Sequence, residues 1–157
     1  MRGTIVCGVT DSDEGRGALA VAAELSQRLG LRLVLAHVAD GIPPLAVNGE
    51  GSESVTTRAD SEGAARLVAR LAAEHDVAGS AEQRSAVGDA VALLGQIAAE
   101  EAADLIVVGS RARGRLRRGL ESRLAHQLET TTRIPVLIAP PRTRGAGKAA
   151  SQPPHRR

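Results

Sequence analysis

The densest run of potential chemistry in the chain is Gly109 to Arg123, GSRARGRLRRGLESR. There Arg111, Arg113, Arg115, Arg117, Arg118 and Arg123 stand against the single acid Glu121, a charge of +5 in 15 residues. Glycines and arginines that follow an apolar strand and open a helix suit an anion, because free backbone N–H groups, the positive helix end and guanidinium forks converge there. In a chain with 19 arginines and one lysine, the same charges also read as a solvated helix face, and the residues alone leave both readings open. A second cluster, Thr10-Asp11-Ser12-Asp13, ends the first apolar run. Its oxygens suit a sugar hydroxyl or a metal, and equally a helix N-cap. Neither G-x-x-x-x-G-K-[ST] nor G-x-G-x-x-G follows that run, which argues against kinase-like or dinucleotide-dependent redox chemistry. His37 reads as a satisfied sheet-end histidine, and His75, His126 and His155 are scattered. The lone Cys7 has no zinc-site spacing around it, and no nucleophile-elbow arrangement stands out.

The elements that must position these groups alternate in type. Thr4 to Val9 (TIVCGV) is short, apolar and β-branched, and reads as a buried strand. Ala18, Leu19, Ala22, Leu25 and Leu29 recur at helical steps before Gly30, giving an amphipathic helix of about 17 residues with a glycine C-cap. Leu31 to Val38 is a second strand, and Ala39 to about Thr56, with its Gly, Pro and Asn, reads as turns and loop. A helix over roughly 57 to 75 and a weaker strand over 83 to 87 follow, after which Gly88-Asp89 caps a third helix. Asp104 to Val108 is almost wholly apolar, as a central strand covered on both faces must be. A helix over about Glu121 to Thr131 and a last strand, Val136 to Ala139, complete the series. Strands alternating with helices specify a doubly wound parallel α/β sheet, in which ligands lie at the carboxyl ends of the strands. Here those ends are the turns after Val9 and Val108.

With 157 residues, 43% of them hydrophobic, the chain supports one domain with one core. Its net charge is +2, but the segment from Pro141 onward holds five basic residues and no acid, so removing those five charges leaves −3 on residues 1–140. Residues 141–157, with Gly145, Gly147 and Pro153-Pro154, read as a basic, disordered extension, either simply solvated or drawn to acidic surfaces in a salt-sensitive way. Phe, Tyr and Trp are all absent, which removes the stacking platforms of single-strand and RNA-binding modules and makes specific nucleic-acid binding an unlikely role. No apolar run approaches the roughly 20 residues of a membrane span, and no signal-peptide core follows Met1, so the expected location is the cytoplasm.

Taken together, several of these segments resemble the universal stress proteins over about residues 2–140. They are Ile5-Val6-Cys7-Gly8-Val9 with Ser12 and Ala18-Leu19, Ala22 to Leu25, Leu33 to Val38, Gly88-Asp89, Ala103 to Arg111, and Ile134-Pro135-Val136-Leu137-Ile138. The resemblance implies a single-domain, Rossmann-like sheet of the adenine nucleotide alpha hydrolase type, strand order 3-2-1-4-5, and a cytoplasmic homodimer through Val136 to Ala139. It implies a role in surviving stress rather than a dedicated enzyme reaction. Family members that bind ATP, with Mg, carry Gly, two residues, Gly, nine residues, then Gly and Ser or Thr. Placed here, those four positions are Gly109, Ala112, Ser122 and Arg123, of which one matches. The family's acid at the end of the first strand falls on Thr10, with Asp11 one place along. Position by position, the resemblance puts Val9, Thr10, Asp11 and Val38 around a nucleoside and Gly109, Arg111, Ala112, Ser122, Arg123 and Leu124 around its phosphates. Side chains at Ala112 and Ser122 crowd a backbone approach to phosphate. The leading expectation is a stress-response regulatory or interaction protein with an impaired nucleotide pocket; the other is an adenine-nucleotide-binding protein with at most slow hydrolysis.

Overall fold

The computed structural model describes residues 3–39, 55–110 and 118–142, the side chains of 55–61 and 118–123 excepted. Its elements alternate strictly: β1 (Thr4–Gly8), α1 (Asp13–Leu29), β2 (Arg32–Ala39), α2 (Val55–Glu74), β3 (Ala81–Val87), α3 (Ala90–Glu100), β4 (Leu105–Gly109), α4 (Arg118–Thr132) and β5 (Val136–Ala139). All pairings are parallel and the strand order is β3-β2-β1-β4-β5, the order the resemblance implied. Of the loop expected over residues 39–56, residues 40–54 lie outside the described residues, as do residues 143–157 of the basic extension.

The central strands show why their sequence is apolar without alternation. Ile5, Val6 and Cys7 of β1 and Ile106 and Val107 of β4 are all fully buried, because helices cover both faces of the sheet. Successive side chains alternate between two cores. Ile5, Cys7, Leu33, Leu35 and Val107 meet Leu19 and Ala22 of α1 and Val68 and Leu71 of α2. Val6, Val34, Ile106 and Val108 meet Leu94 and Ile97 of α3 and Leu128 of α4. Each fully buried branched side chain contributes about 1.5–3 kcal/mol through removal from water. Burial also pushes the Cys7 thiol up, out of the range in which a thiolate nucleophile forms.

Caps fix the helix ends that face the site. Ser12 is the N-cap of α1, its Oγ accepting from the Gly15 amide at 3.1 Å, and Gly30 closes that helix in the left-handed conformation at φ 65°. Asp89 caps α3 by accepting from Ala92 N at 2.8 Å. Most boundaries shift by one or two residues from the sequence reading, and the starts of α4 and β3 show why. Helix α4 starts at Arg118 rather than near Glu121, since arginine and leucine are good helix formers and carry the turn backward. Strand β3 starts at Ala81 rather than Gln83, because it pairs with β2 from Leu33 onward. At the amino ends of the strands, Arg32 pairs with Glu82 and Glu101, and Arg84 with Glu100 and Glu101. These pairs tie β2 and β3 to the end of α3 and leave the carboxyl ends as the open side of the sheet.

Candidate functional site

The chain leaves β1 for β2 on one side and returns to β4 on the other, so the turns after β1 and β4 diverge and open a crevice between them. The structure has a cleft there of about 570 Å³, its open mouth included, lined by Gly8, Val9, Thr10, Glu14, Gly15, Ala36, Val38, Ala90, Leu94, Val108, Gly109 and Leu124. Among the described residues most of that wall is aliphatic or bare backbone, and Thr10 and Glu14 supply its polar side chains. Val9 is held rigidly: its amide donates to Ala36 O at 2.8 Å, and its carbonyl accepts from His37 Nδ1 at 2.7 Å. The accepting carbonyl fixes Nδ1 as the protonated nitrogen of that ring, so His37 is the satisfied sheet-end histidine expected of it.

The first turn of α1 is seated between the ends of β1 and β4, and two glycines make the seat. A Cβ at Gly15 would lie 2.2 Å from Thr10 O, and one at Gly109 would lie 2.2 Å from Glu14 O. Glycine at 109 therefore permits the close approach of α1 to β4, while its own backbone lines the cleft.

Asp11 does not line the cleft. Its Oδ1 is 2.5 Å from Arg16 Nη2 and its Oδ2 is 2.7 Å from Arg70 Nη2, so both oxygens are drawn to the α1–α2 side. Thr10 Oγ1 is 2.9 Å from Ser12 Oγ, inside the capping turn. A hydrogen bond from Arg70 is the main effect holding the Asp11 carboxyl below its usual range; attraction to Arg70 and Arg16 adds to it, and desolvation opposes it. A carboxyl depressed in the folded state gives stability that is present above its unfolded value and lost as the pH falls through the folded one. Asp11→Asn is expected to flatten the acid arm of the stability profile. At neutral pH it should cost about 0.5–1 kcal/mol, a small figure because Asp11 is half exposed. Urea denaturation from neutral pH to below the carboxylate range checks this, and an unchanged acid arm would show that the pair contributes nothing.

Of the residues placed from the resemblance, Val9, Thr10, Val38, Gly109 and Leu124 come together around the cleft. Arg111 and Ala112 lie outside the described residues; Ser122 and Arg123 fall within α4, their side chains likewise outside. Sequence reasoning missed Glu14 and Gly15, whose only signal was their place in the first turn after Thr10, and Ala36, Ala90 and Leu94, which reach the cleft from other elements. Among the described residues no group of three His, Cys, Asp or Glu is placed to hold a metal ion, and no helix is long and apolar enough to cross a membrane.

The family model described as the Universal stress protein family matches residues 1–140. No curated protein matches the chain. Among solved structures, a protein from the universal stress protein family of Burkholderia pseudomallei is 25% identical with a TM-score of 0.64, the match covering 88% of this chain and 96% of that one. The hypothetical protein MJ0577 is 20% identical, TM-score 0.71, covering 92% and 99%. A universal stress protein in complex with cAMP is 20% identical, TM-score 0.67, covering 87% and 96%.

Proposed function

The chain belongs to the universal stress protein family, and within it we propose a cytoplasmic regulatory or interaction protein whose cleft has room for a nucleoside but lacks the grip for ATP. The observation that carries this reading is the engagement of Asp11. The carboxylate next in sequence to the family's strand-end acid position, Asp11, is engaged by Arg16 and Arg70, and the residue at that position is Thr10. An ATP cofactor fits the site only in part. The aliphatic wall from Val9, Val38, Leu94 and Leu124 suits a flat base, and bound ATP would supply a γ-phosphate whose presence or loss could be read by a partner. The phosphate end does not fit, since Gly109 faces α1 and the motif's next glycines are Ala112 and Ser122.

Among the described residues the polar side chains of the cleft are Thr10 and Glu14, and the Thr10 hydroxyl is engaged with Ser12 Oγ rather than with a base, which suits a binding role. The second reading, an adenine-nucleotide-binding protein, is favoured by the cleft's place at the carboxyl ends of β1 and β4 and by the cAMP complex of a structural neighbour. Calorimetric titration of the full chain with ATP and magnesium decides between them. The proposal expects no saturable heat at millimolar ATP, and a stoichiometric, saturable isotherm would favour the second reading.

A homodimer through β5 completes the proposal. β5 is an edge strand, and its Ile138 is an exposed large aliphatic, 47% accessible, the kind of edge that pairs with a copy of itself. Ile138→Asp is expected to shift sedimentation from dimer to monomer while changing chain stability by less than about 0.5 kcal/mol. A wild-type monomer, or a variant that remains dimeric, would contradict pairing at this edge.

A further inference from the structure

Among the described residues, Glu14 is the one charged residue in the lining of the cleft. It is nine-tenths buried, and among the described residues its carboxylate has no hydrogen bond or ion pair. Several acids elsewhere on this arginine-rich chain are claimed: Asp11 by Arg16 and Arg70, Glu82 by Arg32, Glu101 by Arg32 and Arg84. Its oxygens keep some contact with water, since Arg16 Nε is the only fully buried polar side-chain atom without a hydrogen-bond partner among the described residues, but a carboxylate with its hydration so reduced and no protein partner still carries a cost. The positive end of α1, in whose first turn Glu14 sits, offsets that cost only in part.

The position of Glu14 bears directly on what the cleft can hold. Its Cβ is 3.0 Å from where a Cβ on Gly109 would be, so the side chain leaves α1 beside the carboxyl end of β4. The helix end that would otherwise attract a phosphate already has a negative charge of its own. In a cleft walled by aliphatic side chains, a second negative charge at that place is repelled more strongly than in water. A hydroxyl or amino group there instead gives the carboxylate the hydrogen bond it lacks.

We infer that Glu14 sets the ligand class of the cleft: unpaired beside Gly109, its carboxylate excludes a phosphate group and accepts a hydrogen bond from a hydroxyl or amino group of an uncharged nucleoside. This rests on the reading of the cleft as a nucleoside site. Calorimetric titration of the full chain with adenosine, AMP and ATP, on wild type, Glu14→Gln and Glu14→Ala, tests it. Wild type is expected to bind adenosine about tenfold more tightly than AMP, a preference that shrinks as salt screens the repulsion. Glu14→Gln should raise the AMP affinity about tenfold while its amide oxygen still accepts from adenosine; Glu14→Ala should raise AMP and weaken adenosine. Thermal melts of the three proteins separate a binding effect from a folding one, and because the two variants change size differently, one stably folded variant suffices. Equal affinity of wild type for adenosine and AMP, or an AMP affinity unmoved by either variant, overturns the role of Glu14 and leaves the nucleoside site standing. If neither wild type nor variants bind any of the three ligands, the nucleoside reading itself falls and the inference with it.

Discussion

Gly109→Val is expected to unfold the domain before it affects any ligand, lowering the unfolding free energy by about 3–5 kcal/mol. A Cβ at this position would lie 2.2 Å from Glu14 O, 2.5 Å from the carbonyl carbon and 3.0 Å from Glu14 Cβ. These are mostly helix backbone atoms, which cannot swing aside as the end of a long side chain can. Relief requires α1 to move off β4 as a body, which opens the core where Leu19 and Ala22 meet Val107. A total stability of about 5–15 kcal/mol for a domain leaves little after such a loss. The motif reading makes Gly109 a ligand contact, so a valine there should abolish binding in an otherwise stable protein. Urea denaturation separates the two accounts: a wild-type midpoint in Gly109→Val would return Gly109 to the ligand, and a collapsed midpoint assigns it to α1.

Gly15→Ala puts two terms of opposite sign against each other. Alanine inside a helix is favoured over glycine by about 1 kcal/mol, which by itself would make this a stabilising change. The added methyl, however, would stand 2.2 Å from Thr10 O, 2.4 Å from Thr10 Oγ1 and 2.6 Å from Thr10 N. The turn it strikes is pinned, because Val9 is bonded through both its amide and its carbonyl to β2 and Thr10 Oγ1 meets Ser12 Oγ. The steric term wins, and a net loss of about 2–3 kcal/mol is expected. Gly63, on α2 with open space around its Cβ position, is the control: Gly63→Ala should gain the propensity term alone, about 0.5–1 kcal/mol. Two variants with the same sign of effect would contradict the packing account of α1.

What the sequence made legible was governed by local rules. The 17-residue span of α1, its Gly30 cap, the Asp89 cap and the bounds of β5 follow from periodicity and capping chemistry within a few residues of each position. The parallel sheet followed from alternation of element types, and its order from the family resemblance. The site was legible only in part, because its decisive features are long-range. Asp11 looks like a ribose ligand until Arg70, 59 residues away, takes one of its oxygens. Gly109 reads from the motif as a phosphate contact, and only the approach of α1, nearly a hundred residues earlier, shows that packing also demands a glycine there. Glu14 looks like an ordinary first-turn acid, and only the closure of β4 and α3 around it makes it a charged residue in the wall of a cleft. Local pattern gave each of these residues a plausible role, and tertiary contact adds a partner that local pattern could not show.

The absence of Phe, Tyr and Trp leaves the protein almost transparent in the near ultraviolet, so an adenine chromophore would dominate its spectrum. The most direct test of the central claim, that the cleft lacks a grip for ATP, is the absorption spectrum of the purified, desalted full chain, with mass spectrometry of whatever denaturation releases. The account predicts no bound ATP or ADP before or after incubation with magnesium and ATP. An adenine band that survives desalting and is released as stoichiometric ATP would contradict it.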